Sequence, residues 1–195
     1  AHTAQQDEAS LETVNLILTQ MARGGIYDHL GGGFARYSTD EDWKVPHFEK
    51  MLYDNSQLVS LYVKAYQLTA DPLYKEVIEE SLTFVKRELT DEEGNFYSSL
   101  DADSDGEEGK FYVWEKDEIE EILGKEAEVF NQVYSVSERG NWEEKNILLR
   151  KKSVAEHAKD LSLSEEELHA KLQEGKEKLL AVREKRVRPG LDDKI

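Results

Sequence analysis

The chain of 195 residues contains no cysteine. It therefore has no disulfide, no thiolate metal site and no Cys-x-x-Cys redox pair. No apolar run approaches the roughly 20 residues of a membrane span. The opening stretch AHTAQQDEAS lacks the basic and apolar regions of a signal peptide, and no Asn-x-Ser/Thr acceptor occurs. Positive charge is scarce: 25 Lys and Arg stand against 42 Asp and Glu, for a net charge of −17. Phosphate binding needs basic patches, so the balance argues against a nucleic-acid partner and against docking on an anionic membrane. Nucleotide motifs of the G-x-G-x-x-G and G-x-x-x-x-G-K kinds are missing, as are the zinc-protease H-E-x-x-H and the G-x-S-x-G nucleophile elbow. The default expectation is a cytoplasmic protein without cofactor or metal.

What is present is mostly helical periodicity. Leu11, Val14, Leu18 and Met21 mark an amphipathic helix over Glu8–Arg23, with Gly24 and Gly25 as a left-handed stop. A glycine-rich extended segment follows to Val45. Pro46 suits the first position of a second helix, with Phe48, Leu52, Val59, Tyr62 and Tyr66 on its inner face, ended by TADP. A third helix is expected over Pro72–Leu89. Two short strands, Phe96–Leu100 and Lys110–Trp114, bracket an acidic loop. Helices over Lys116–Leu123 and Glu126–Tyr134 follow, then NILLR as a short strand and a helix over Val154–Lys159. A long charged helix over Glu165–Arg186 closes the chain, with Ser164 and Glu167 as its capping box. That last helix reads either as an exposed arm or as part of a chain cut before its partner helices arrive. No short-period repeat is visible. The expected architecture is a mainly α domain of side-by-side α/α hairpins with a small β-hairpin insert, occupying residues 1–195.

The densest chemistry lies in GGGFARYSTDEDWKVPHFEKMLYDN, residues 31–55. Gly31, Gly32 and Gly33 supply backbone freedom. His47, in the expected first turn of a helix, would feel the positive end of the dipole and stay neutral, a proton acceptor near pH 7. Asp54 falls two turns on, about 11 Å along the axis, so the pair could flank one ligand. Arg36, Tyr37, Trp43 and Tyr53 complete the flat faces and directional partners that a sugar ring requires. The plainer alternative is a helix-terminal histidine among ordinary core aromatics. A second stretch, DADSDGEEGKFY, places Asp101, Asp103 and Asp105 with Gly106 as in the first half of a calcium loop, but Tyr112 stands where the bidentate Glu belongs. It reads equally as an acidic hairpin tip, or as a source of a pocket acid in Asp101 or Asp103. His29 is either a second pocket imidazole or a turn partner. His2, His157 and His169 lie in polar surroundings and receive no role.

The stretch GGIYDHLGGGFARYSTDEDWKVPHFEKMLYDN resembles the hallmark of the YyaL-like, spermatogenesis-associated protein 20-like family of thioredoxin-domain-containing proteins. SSLDADSDGEEGKFYVW and RPGLDDKI resemble its second and third motifs, in the same order. The resemblance implies a thioredoxin-like domain, absent here in keeping with the lack of cysteine, followed by an (α/α)6 barrel of which this chain carries about half. That barrel is similar to those of N-acylglucosamine 2-epimerases and six-hairpin glycosidases. The residues themselves suggest a carbohydrate pocket, in which His47 would move a proton, Asp101 or Asp103 would be a partner acid, and Arg36, Tyr37, Trp43, Tyr53 and Asp54 would orient substrate. Epimerisation and hydrolysis both remain open, as does a non-catalytic scaffold. The isolated chain is expected to be inactive, and its open barrel edge suggests a homo-oligomer.

Overall fold

A computed structural model describes residues 8–193, among which helices form all the long elements. In chain order these are α1 (Glu8–Arg23), β1 (Tyr37–Ser38), β2 (Pro46–His47), β3 (Lys50–Met51), α2 (Leu52–Thr69), α3 (Pro72–Glu88), β4 (Ser99–Leu100), β5 (Asp103–Ser104), β6 (Glu107–Glu108), α4 (Lys116–Leu123), α5 (Ala127–Val133), α6 (Val154–Leu161), α7 (Glu165–Arg183) and β7 (Leu191–Asp192). His2 lies outside the described residues.

Local chemistry sets many of these ends. The Asp71 side chain accepts from Leu73 N–H, and Pro72 occupies the first turn of α3. Ser153 with Glu156, and Ser164 with Glu167, form complete capping boxes on α6 and α7. Gly24 and Gly25 end α1, yet neither has the left-handed conformation expected of a stop. Their use is close approach: a Cβ on Gly24 would lie 2.4 Å from the Trp43 carbonyl oxygen, and one on Gly25 2.1 Å from that of Lys44.

Three sequence expectations are corrected. Pro46 does not open a helix; it begins β2, and α2 starts at Leu52. Proline holds the residue before it extended, and Thr39 N–H and hydroxyl both reach back to the Val45 carbonyl. The expected pairing of 96–100 with 110–114 is replaced by the three-stranded antiparallel sheet β3–β4–β7. The hairpin is instead β5–β6, inside the acidic loop, turning at Asp105 and Gly106 with φ 54° and 76°. NILLR forms no strand; only Asn146 bridges, to Trp114. The 110–114 stretch makes no other β pairing because it turns on itself: Tyr112 and Val113 N–H groups both donate to the Gly109 carbonyl.

The core has two main parts. One joins α1, α2, α3 and the glycine-rich loop through Leu18, Tyr27, Phe34, Tyr62, Tyr74 and Val77. Leu18 and Ala22 are the buried residues of α1, whereas Val14 is 39% exposed. The other joins α4 to α7 around Trp114, Ile119, Phe130 and Tyr134, with Leu168, Leu172 and Leu179 of α7 buried in it. The last helix is therefore a packed element and not an exposed arm. Antiparallel α2 and α3 form a clear α/α hairpin. The α/α-hairpin class is as expected; a closed six-hairpin ring needs more helices than residues 8–193 supply.

Candidate functional site

Tyr37 and His47 are the cross-strand pair of β1 and β2, their ring centroids 5.0 Å apart. Tyr37 is 48% exposed, and His47 is half-buried with no hydrogen bond to Nδ1. Because α2 begins five residues later, no helix dipole acts on His47, and the dipole argument for its neutrality does not apply. Beside this pair, Arg36 Nη1 donates to Glu49 Oε2 at 3.1 Å and the guanidinium also meets the Tyr53 hydroxyl. Tyr53 is 46% exposed. Asp54, in the first turn of α2, keeps Oδ2 unpartnered and screened from water. Burial pushes its carboxyl up, with Arg36 opposing and Glu49 adding. Arg36, Glu49, Tyr53 and Asp54 thus form one polar group flanked by Tyr37 and His47.

Trp43 belongs elsewhere. It has φ 58° and its indole packs, half-buried, against the α1–α2–α3 core. Asp101 is exposed and its N–H donates to the Gly190 carbonyl; Asp103 is exposed in β5. Asp103 N–H donates to Asp101 Oδ1, and neither residue hydrogen-bonds to His47. Lys110 Nζ sits between Asp105 and Glu107, at 2.9 and 2.7 Å. Among the described residues no three acidic or histidine side chains converge as a cation site. The β5–β6 hairpin instead forms one wall of a cleft of about 690 Å³ with Trp142, Glu143, Lys145 and Arg186. Arg186 is fixed there by Glu118 and by the carbonyls of Phe111 and Val113.

Behind the exposed group lies a buried ionic knot. Asp28 accepts from Lys50 Nζ at 2.7 Å and, bidentately, from Arg183 at 2.8 and 2.9 Å, while Leu30 and Gly31 N–H groups cap Oδ1. Lys50 also donates to the Gly32 carbonyl and lies over the Phe84 ring at 4.5 Å. One carboxylate shared between two cations holds Asp28 well below the usual range despite burial, and leaves Lys50 pushed down to about 8, chiefly by desolvation. A cavity of about 30 Å³, bounded by Asp28, His29, Lys50, Tyr112 and Phe48, has room for a water but not a sugar. His29 is a buried turn partner, its Nε2 against the Arg23 and Gly24 carbonyls. Asn55 clamps both Phe34 backbone groups.

No protein-family model matches the chain. Over its whole length it is 36% identical to spermatogenesis-associated protein 20 of Homo sapiens and of Mus musculus, covering 28% of each. The chain is homologous to a segment of spermatogenesis-associated protein 20. An uncharacterised protein of Caenorhabditis elegans is 34% identical over 98% of the chain, which covers 30% of it. The chain thus spans less than a third of the length of these relatives. In the site, sequence reasoning missed Glu49, which shares Arg36 with Tyr53. Its signal was an opposite charge placed across a short turn. It also missed Asp28, Lys50 and Arg183, which no spacing rule connects.

Proposed function

We propose that the surface of Arg36, Tyr37, His47, Glu49, Tyr53 and Asp54 is a carbohydrate-recognition face. The observation that carries this is the pairing of two half-exposed tyrosines, Tyr37 and Tyr53, with the Arg36–Glu49 ion pair at the surface and the half-buried His47 and Asp54 beside it. Tyrosine rings offer apolar faces to a sugar, and the carboxylates and guanidinium offer partners to its hydroxyls. His47 would move a proton at a carbon or glycosidic oxygen. Glu49 and Asp54 stand beside Arg36 and are better placed as acids than Asp101, which follows β4, or Asp103 in β5.

A non-catalytic binding domain is the second reading. It is favoured by the absence, among the described residues, of any group bonded to His47 Nδ1 that would orient the ring as a base. Calorimetric titration of the full chain with glucose, N-acetylglucosamine and cellobiose tests both. Saturable binding that weakens on the order of tenfold in Tyr37→Ala, from lost ring stacking, is expected. Absence of binding to all three, by this chain and by a full-length relative, would sink the carbohydrate proposal. Deuterium uptake at the sugar's second carbon in heavy water, abolished in His47→Ala, separates an epimerase from a binding domain.

A further inference from the structure

The β1–β2 ladder is short. Each strand has two residues, Pro46 has no N–H to give, and one backbone bond brackets the ladder on each side, from Arg36 N–H to the Glu49 carbonyl and from Thr39 N–H to the Val45 carbonyl. The second of these bonds forms only if the intervening turn closes at Val45. Asp40 Oδ1 accepts from the N–H groups of Asp42 at 2.9 Å and Lys44 at 3.0 Å, and Oδ2 accepts from Val45 at 2.8 Å. The Ser38 hydroxyl lies 3.3 Å from Oδ1. These bonds hold the Asp40 carboxyl below its ordinary value although burial opposes them. The turn they organise is also fixed from behind: Ile26 N–H donates to the Trp43 carbonyl, and the Trp43 indole seats in the core.

We propose that Asp40 is a positioning residue, whose carboxylate imposes the register that sets Tyr37 against His47. The inference rests on the carbohydrate reading only for its functional consequence; the geometry is testable without any ligand. In NMR spectra of the full chain, the cross-peak between the Tyr37 and His47 rings is the direct readout, with the Trp114 indole and His29 signals as controls for the fold. The cross-peak is expected to disappear in Asp40→Ala. It should be weakened in Asp40→Asn, which keeps the Oδ1 bonds but turns a donor toward Val45 N–H. Cellobiose affinity should follow the same order, falling on the order of tenfold in the alanine variant as several charge-assisted bonds are lost.

A full-strength cross-peak in both variants overturns the proposal. Should Asp40→Ala fail to fold, the asparagine variant decides alone: weakening supports positioning, and a spectrum like that of the unaltered chain refutes it. If the unaltered chain binds no sugar, the carbohydrate reading falls while the cross-peak still decides the role of Asp40.

Discussion

Asp28 and His29 are adjacent, both buried, and held in opposite states. Asp28 stays ionised because Arg183 and Lys50 outweigh the cost of its burial. His29 is pushed down to about 3 by burial first, then by Arg150 and Lys176. A depressed histidine pKa means that the unfolded chain binds a proton the folded chain refuses. Stability from His29 is therefore complete above the unfolded value near 6.5 and is lost as pH falls from there toward about 3. Urea unfolding between pH 6.5 and 4 should show a slope steeper by about 1.4 kcal/mol per pH unit than in His29→Gln. Equal slopes in the two proteins would contradict the buried neutral ring. The Asp28 contribution fades only at lower pH, below the ordinary carboxylate value, so the two effects separate.

At the scale of elements, the glycine-rich loop lies against α3 so closely that side chains do not fit. Gly32 has φ 76°, and a Cβ there would stand 2.4 Å from the Glu80 carbonyl oxygen. That oxygen belongs to helix backbone, which cannot swing aside as a side chain would. Gly94 offers the internal comparison, with φ 88° and nothing within 4 Å of an added Cβ. Gly94→Ala should cost only the left-handed backbone term, about 1–2 kcal/mol. Gly32→Ala should cost at least about 2 kcal/mol more, because α3 must also shift. Chemical denaturation of the two variants side by side gives the difference. Equal losses would mean that the loop can lift from α3. The same approach lets Gly31 and Gly32 carbonyls accept from Arg87 and Lys50, which links the loop to the ionic knot.

Across the whole molecule, that knot fastens α7 to a loop 155 positions earlier in the chain. Arg183 is joined in this by Lys176, which donates to Glu80 at 2.6 Å, and, just past the end of α7, by Arg186 on Glu118. A helix that is polar on most faces thus docks by burying cations on carboxylates as well as by inserting leucines. Removing one partner of a buried pair leaves an uncompensated charge, so Asp28→Asn and Arg183→Met should each lose about 3–5 kcal/mol. Removing both should cost less than the sum, with a coupling of about 2 kcal/mol or more in a double-mutant cycle. Additive losses would show that the two groups do not act on each other across the fold.

Helix positions were largely legible because their causes are local: apolar spacing over α2, α3 and α7, Pro72 after Asp71, and the Ser164–Glu167 box. Their burial was less so. Leu82, an apolar residue of α3, is 53% exposed, while Lys176 of α7 is buried. The start of α2 differs from the expectation because Pro46 satisfies both a first helical turn and a β strand, and contacts with residues 36–40, among them Thr39 and Asp40 on Val45, select the strand. The grouping of Arg36, Tyr37, His47, Tyr53 and Asp54 was readable as a neighbourhood, since 19 residues with one turn cannot stray far, but Trp43 was turned into the core by a left-handed backbone that composition does not announce.

By itself, the sequence determined the α/α class, the likeness to spermatogenesis-associated protein 20 and the stretch densest in polar and aromatic residues, because periodicity, caps and motif order are properties of neighbouring residues. Only the tertiary structure decided which polar residues of that stretch are structural. Asp28, Lys50 and Asn55 are held by partners distant along the chain, and a charge becomes an anchor or a ligand-facing group only when the surrounding elements exclude or admit water.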